Sequence, residues 1–236
     1  MAQGKIQAKV IGIFSGPVER FTAGDGRPMT SGIRKRALSQ GVLAAGGFVG
    51  DESTEADHHT PDRSIHIFPD EHYGVVAERL ALTLPRPAFG ENLTISGALE
   101  GEVFVGDCYR IGSATICVTQ PTERCKAIGR SLGAPRILKI LHDLEACGFY
   151  ARVVEPGHVQ PGDRFELCER PQTAWSIRDL HRVMFQRLAD ASAVSAVLAV
   201  AELSIEWKQR IEVMRERHRR GEPLNSSLGE LRGFLL

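Results

Sequence analysis

No stretch of this chain approaches the roughly 20 consecutive apolar residues that a membrane span requires, and Met1-Ala2-Gln3-Gly4-Lys5 lacks the apolar core of a signal peptide. Net charge is missing as well. Lys and Arg number 29 and so do Asp and Glu, so no long-range field draws the chain to nucleic acid or anionic lipid, and any anion site has to be local. These absences predict a cytoplasmic protein with neither a membrane nor a nucleic acid as partner. No Gly-x-Gly-x-x-Gly follows a strand, no Cys-x-x-Cys pair occurs, and the five cysteines (Cys108, Cys117, Cys125, Cys147, Cys168) are not clustered. Dinucleotide, iron–sulfur and structural zinc motifs are thereby excluded. Reduced thiols are the default for such a set, with all but Cys125 acting as small buried hydrophobes. Internal repeats and low-complexity segments are also lacking.

What is present is the composition of an ordinary globule: 236 residues, 42% hydrophobic and 25% charged, enough for one large domain and a small second unit. Apolar alternation and turn residues predict a strand over residues 5–14, a loop over 22–28, a half-exposed strand over 31–36 and a strand over 64–68. The polar stretch 50–62 reads as a long surface loop. Pro69 opens a helix with Tyr73, Val76, Ala77 and Leu80 on one face, closed by Pro85 and Pro87. Short strands separated by turns follow at 103–105, 108–111 and 114–120, then a helix over 135–146 and strands over 149–154 and 164–168. Beyond Pro171 the period becomes helical, with helices near 176–188, 192–201 and 204–220 and Ser176 as the first cap. The expected architecture is therefore mainly β over residues 1–171, with a three-helix unit over 172–236. Trp207, Ile211 and Met214 form a helical core stripe. The basic cluster from Arg215 to Arg220 is a solvated helix end, diluted by Glu212, Glu216 and Glu222.

Cys125 lies just past Gln120-Pro121, where proline takes the backbone out of a ladder, so it belongs to a loop or turn. Arg124 and Lys126 flank it, and two cations beside a thiol favour the thiolate, the form that binds soft metals and attacks electrophiles. An ordinary loop cysteine fits the same local pattern.

Gln120-Pro121-Thr122-Glu123-Arg124-Cys125 resembles the segment ending in the signature cysteine of MOSC domains, named for the C-terminal region of molybdenum cofactor sulfurases. Ser31-Gly32-Ile33-Arg34-Lys35, Gly50-Asp51, Pro61-Asp62-Arg63, Phe89-Gly90-Glu91-Asn92-Leu93 and Gly106-Asp107 stand in the order such domains show. The resemblance covers about residues 5–170, and a three-helix tail is typical of the bacterial YiiM-like branch. It implies a MOSC-type β-barrel and a molybdenum cofactor of molybdopterin type, with Cys125 as metal ligand and catalytic centre. It further implies a molybdenum-dependent oxidoreductase that reduces small N-hydroxylated compounds, such as hydroxylaminopurine-type base analogues, to amines. Electrons would come from a separate reductase. The alternative is a non-catalytic sulfur or cofactor carrier using Cys125.

By the same resemblance Lys35, Arg63, Asn92, Glu91, Gly90, His58, His59 and Arg124 are the candidates for holding the cofactor. Each has a plain structural reading too. Lys35 reads equally as a solvated strand lysine, Arg63 as the ion-pair partner of Asp62 or Glu55, Asn92 as a turn residue, and Glu91 as a cap or a basic residue's partner. His58-His59-Thr60 replaces the His-Gly-Gly usual before Pro-Asp, and Thr122 and Arg124 stand where relatives often have Arg and Pro. The helical tail is expected as a lid, or as a surface for an electron donor or for a second copy in a homodimer.

Overall fold

The computed structural model describes residues 8–54 and 60–222; His58 and His59, and the first residues of the strand expected over 5–14, lie outside them. The described strands are β1 Lys9–Ser15, β2 Glu19–Thr22, β3 Pro28–Ser31, β4 Arg36–Leu38, β5 Gly41–Ala44, β6 Gly47–Phe48, β7 Ile65–Pro69, β8 Leu93–Ser96, β9 Cys108–Ile111, β10 Ala114–Pro121, β11 Phe149–Glu155, β12 Gly157–Val159 and β13 Phe165–Glu169. The helices are α1 Glu71–Leu80, α2 Lys126–Leu132, α3 Ile137–Asp143, α4 Ile177–Gln186, α5 Ala191–Leu198 and α6 Ile205–Arg219. None is long and apolar enough to cross a membrane.

Eight strands make one sheet in the order β13-β9-β10-β11-β7-β8-β1-β4. Its neighbours are antiparallel except β7 and β8, the parallel pair that α1 connects. The sheet rolls until Phe165 N–H donates to Ala8 O and Val10 N–H to Asp163 O, both at 2.9 Å, through the single bridge Lys9↔Arg164. The expected closed barrel is not formed. β4 occupies the far half of the same β1 edge, pairing Ile13 with Leu38, so β13 reaches only the first residues of β1. The architecture is a rolled, sheet-dominant fold with six helices.

Alternation explains which face each strand buries. In β7, Ile65 and Ile67 enter the main core with Ile13, Leu93, Ile95, Ile111, Ile116 and Phe149, while Phe68 joins a second cluster with Tyr73, Phe89 and Ile137 on the opposite face. All five residues of β7 are therefore buried. Each fully buried aliphatic side chain contributes about 1.5–3 kcal/mol of transfer free energy.

Several elements depart from expectation. Residues 32–35 are irregular, lying between β3 and β4. Residues 103–105 carry only the bridge Phe104↔Ser176, because the chain there pairs with the start of the tail. The helix expected over 135–146 is α3 alone, and α2 was not foreseen: seven residues are too few for a periodic stripe. Pro121 stays in register with Phe149 as the last residue of β10, where a proline is tolerated. The three tail helices are present, with Ser176, Asp190 and Ser204 each accepting an N–H two or three residues into its helix.

The cysteines also require correction. Gly112, at φ 57°, turns the β9–β10 hairpin so that Ile111 faces Ala114 and Cys108 faces Cys117, and the two are joined as a disulfide. Cys147 is buried as expected, whereas Cys168 is exposed.

Where α4 meets α3, His181 packs against His142 and Phe185. Burial, and then the charge of His142, lower the His181 pKa from 6.5 to about 4. The unfolded chain thus binds a proton in this window that the folded chain rejects. Stability is expected to fall as pH drops from 6.5 to about 4, by as much as about 3 kcal/mol from this group. Urea unfolding across that range should show the slope in the native chain and a flatter one in His181→Leu.

Candidate functional site

Residues from seven separate stretches line one cavity of about 390 Å³: β3 with the irregular segment after it, Gly46 between β5 and β6, the Asp51 loop, the 3-10 turn Pro61–Arg63 with β7, the Phe89–Asn92 segment, the β10–α2 junction, and Tyr150. Lys35, Arg63, Gly90, Asn92, Arg124 and Cys125 all reach it. Glu91 does not; it stands behind the wall.

Lys35 is no solvated lysine. Its side chain is 7% exposed and Nζ contacts both oxygens of Asp51, at 2.5 and 2.6 Å. Burial lowers its pKa, with Asp51 opposing. Asn92 Nδ2 donates to the same carboxylate at 2.8 Å and to Phe14 O at 3.3 Å, while Oδ1 accepts His66 N–H at 3.1 Å. Asn92 thus joins β1, β7 and the Asp51 loop, more than a turn residue would. Gly90 sits at φ 75°, and a Cβ there would lie 3.1 Å from Ile33 Cγ1, so glycine keeps this part of the wall open.

Arg63 does not pair with Asp62, one of the two partners read from sequence. Asp62 binds Arg152, and Glu55 lies outside the described residues. The Arg63 guanidinium instead meets Glu206 of α6 at 2.6 Å and lies over the Tyr150 ring. Burial acts to lower its pKa, but Tyr150 and Glu206 outweigh it and raise the value. Its Nε has no hydrogen-bond partner among the described residues.

Arg124 turns inward rather than supplying its charge beside Cys125. Nη2 donates to Cys147 O at 2.6 Å, Nη1 lies 3.1 Å from His66 Nε2, and the guanidinium stacks over Phe68. Because a guanidinium only donates, His66 Nε2 accepts, and the neutral ring then carries its proton on Nδ1. Burial lowers the Arg124 pKa, and its Nε is also without a partner. Cys125 is exposed and is the N-cap of α2, with no side-chain cap bond. Thr122, buried just before it, has an unpartnered Oγ1.

Glu91 is fully buried. It accepts from Tyr73 OH, Phe89 N–H and Thr94 Oγ1, and burial pushes its pKa up against those donors. It supports the Phe89–Asn92 segment that lines the cavity.

Sequence reading passed over Asp51 as a side chain, and missed His66, Tyr150 and Glu206. His66 had a signal, a polar residue inside an otherwise apolar strand. Glu206 had none, since its partner is 143 residues away.

Among the described residues no group of three or more His, Cys, Asp or Glu could hold a metal. The exposed Cys125 thiol on this wall is one soft donor, a donor set that fits a metal bringing its other ligands with it. The orphaned Arg63 Nε, Thr122 Oγ1 and Arg124 Nε are polar groups suited to an anionic, hydrogen-bonding organic ligand.

A family model described as the MOSC domain matches residues 54–166. The protein YiiM of Escherichia coli strain K12 is 28% identical over 210 residues, covering 87% of this chain and 92% of YiiM. The crystal structure of YiiM from Geobacillus stearothermophilus superposes with a TM-score of 0.74 at 26% identity, over 88% of this chain and 99% of that one. YflK of Bacillus subtilis strain 168 is 33% identical over 186 residues, 78% of this chain and 84% of YflK. By that identity over most of both chains, together with the family-model match, the chain belongs to the MOSC domain family.

Proposed function

We propose that the cavity binds a molybdenum cofactor with Cys125 as the protein ligand to the metal, and that the chain reduces small N-hydroxylated compounds to amines. The observation that carries this reading is the convergence of one exposed thiol with Lys35, Arg63, Asn92 and Arg124 on a single wall. The balanced reaction is R–NH–OH plus two electrons and two protons giving R–NH2 and water. When bound, the cofactor supplies two-electron oxygen-atom transfer at a sulfur-held metal.

The chain's residues bind and orient. Cys125 offers a soft ligand at the start of α2. Lys35, set by Asp51, and the guanidinium groups of Arg63 and Arg124 supply, on one wall, the positive charge that the anionic parts of the ligand need. Asn92 and His66 lock β7 to the wall, and His66 keeps a proton at Nδ1 while Arg124 occupies Nε2. Electrons come from a separate reductase, since the sequence has no motif of its own for a flavin, dinucleotide or iron–sulfur group.

The test is to purify the protein from hosts with and without cofactor synthesis, measure molybdenum, and assay N-hydroxylated purine analogues with a chemical reductant. Stoichiometric molybdenum and turnover are expected only from the competent host. Sulfane sulfur on Cys125 with no molybdenum would instead establish the carrier reading.

A further inference from the structure

Helix α6 belongs to the tail, yet its first two turns hold side chains of the cavity wall. Ser204, its cap, donates through Oγ to Gln120 Oε1 at 2.5 Å and through its N–H to Thr119 O at 3.2 Å, tying the helix to the end of β10. Glu206 meets Arg63 at 2.6 Å. Arg210, four residues on and so on the same helix face, grips Glu123 with Nη2 at 2.5 Å and Nε at 2.9 Å. Glu123 is two residues before Cys125. The Arg210–Glu123 pair lies in largely dry surroundings, with side-chain exposures of 5% and 13%, and Arg63 is 2% exposed while Glu206 is 29% exposed.

We infer that Glu206 and Arg210 are positioning residues of the site: Arg210 sets the Cys125 loop through Glu123, and Glu206 aims Arg63 into the cavity. A bidentate arginine–carboxylate pair fixes angle as well as distance, and here it clamps the segment between the last residue of β10 and the N-cap of α2. Glu206 engages Nη1 of Arg63 and so holds the guanidinium against the wall that Arg63 lines. The part concerning cofactor uptake rests on the function proposed above; the part concerning Cys125 does not.

The experiment uses the full chain, with Arg210→Met, Arg210→Lys, Glu123→Gln and Glu206→Gln, each checked for folding by circular dichroism. In cofactor-free protein, iodoacetamide alkylation of Cys125 is timed against Cys168, which is exposed in the same chain and serves as internal reference. Arg210→Met and Glu123→Gln are expected to shift the Cys125-to-Cys168 rate ratio in the same direction by about fivefold, and the double variant no further, as coupled partners require. Arg210→Lys should fall between. In protein from a cofactor-competent host, Glu206→Gln should lower molybdenum occupancy by about tenfold, the usual scale for a residue that orients a ligand-holding group, without changing the alkylation ratio. A ratio unchanged in both Arg210→Met and Glu123→Gln while they remain folded would overturn the positioning of Cys125. Unchanged occupancy in Glu206→Gln would overturn that of Arg63. Native protein without molybdenum would overturn the cofactor reading, and with it the occupancy role of Glu206, while the alkylation ratio would still decide Arg210.

Discussion

Cys125→Ala purified from a cofactor-competent host is expected to contain no molybdenum and to lose turnover by roughly 10³-fold or more, the scale seen when a reacting group is removed. Its stability should hardly change. Cys125 is exposed and its sulfur makes no cap bond, so truncation removes neither packing nor a hydrogen bond, and the expected shift is within about 0.5 kcal/mol. Cys125→Ser sharpens the contrast. Serine is a favoured N-cap, so it should stabilise α2 by up to about 1 kcal/mol while offering a hard oxygen where a soft sulfur is needed. Loss of activity with a raised melting temperature would separate a functional from a structural role at this position. Full turnover in either variant would remove Cys125 from the centre of the mechanism.

The second large effect is on folding, at Glu91. Its carboxylate receives three donors in a site without solvent access: Tyr73 OH, the Phe89 N–H at 2.9 Å and Thr94 Oγ1 at 3.1 Å. Tyr73 is itself fixed by accepting Ala88 N–H at 2.9 Å. Glu91→Ala would leave these donors buried and unpaired beside a small void, a loss of about 4–5 kcal/mol. Chemical denaturation should show it directly, and the Phe89–Asn92 segment should gain hydrogen exchange in the folded fraction. A loss below about 1 kcal/mol would mean that the network relaxes and that Glu91 does not support the wall.

Features whose causes are local were legible in the sequence. Ser176 caps its helix because a hydroxyl three residues before an N–H needs no tertiary partner to reveal itself. The β9–β10 hairpin was legible from Gly112-Ser113, but the Cys108–Cys117 bond was not, since that depends on the register the turn produces. The barrel expectation failed over one competition, β4 against β13 for the same edge of β1, which no periodicity records. At the site, the motif segments containing Lys35, Arg63, Asn92, Arg124 and Cys125 do meet around one cavity. Their partners were less accessible. Arg63 was read against neighbours in sequence, Asp62 and Glu55, while its carboxylate lies on α6. Arg124 was read as charge beside a thiol, while its guanidinium is directed to Cys147 O and His66.

The long-range pairs also set an order of assembly. Arg63 and Glu206 are 143 residues apart in the chain, and Glu123 and Arg210 are 87 apart. At a synthesis rate of about 5–20 residues per second, the Arg63 segment waits on the order of 10 s on the ribosome before its partner is made. Late in that interval a nascent chain can already have β1 to β11, yet the Arg63 guanidinium still lacks its carboxylate on α6 and Glu123 its arginine. Any ligand that needs Arg63 and the Cys125 loop held in place is therefore expected to be captured only once α6 has been made and has docked against them.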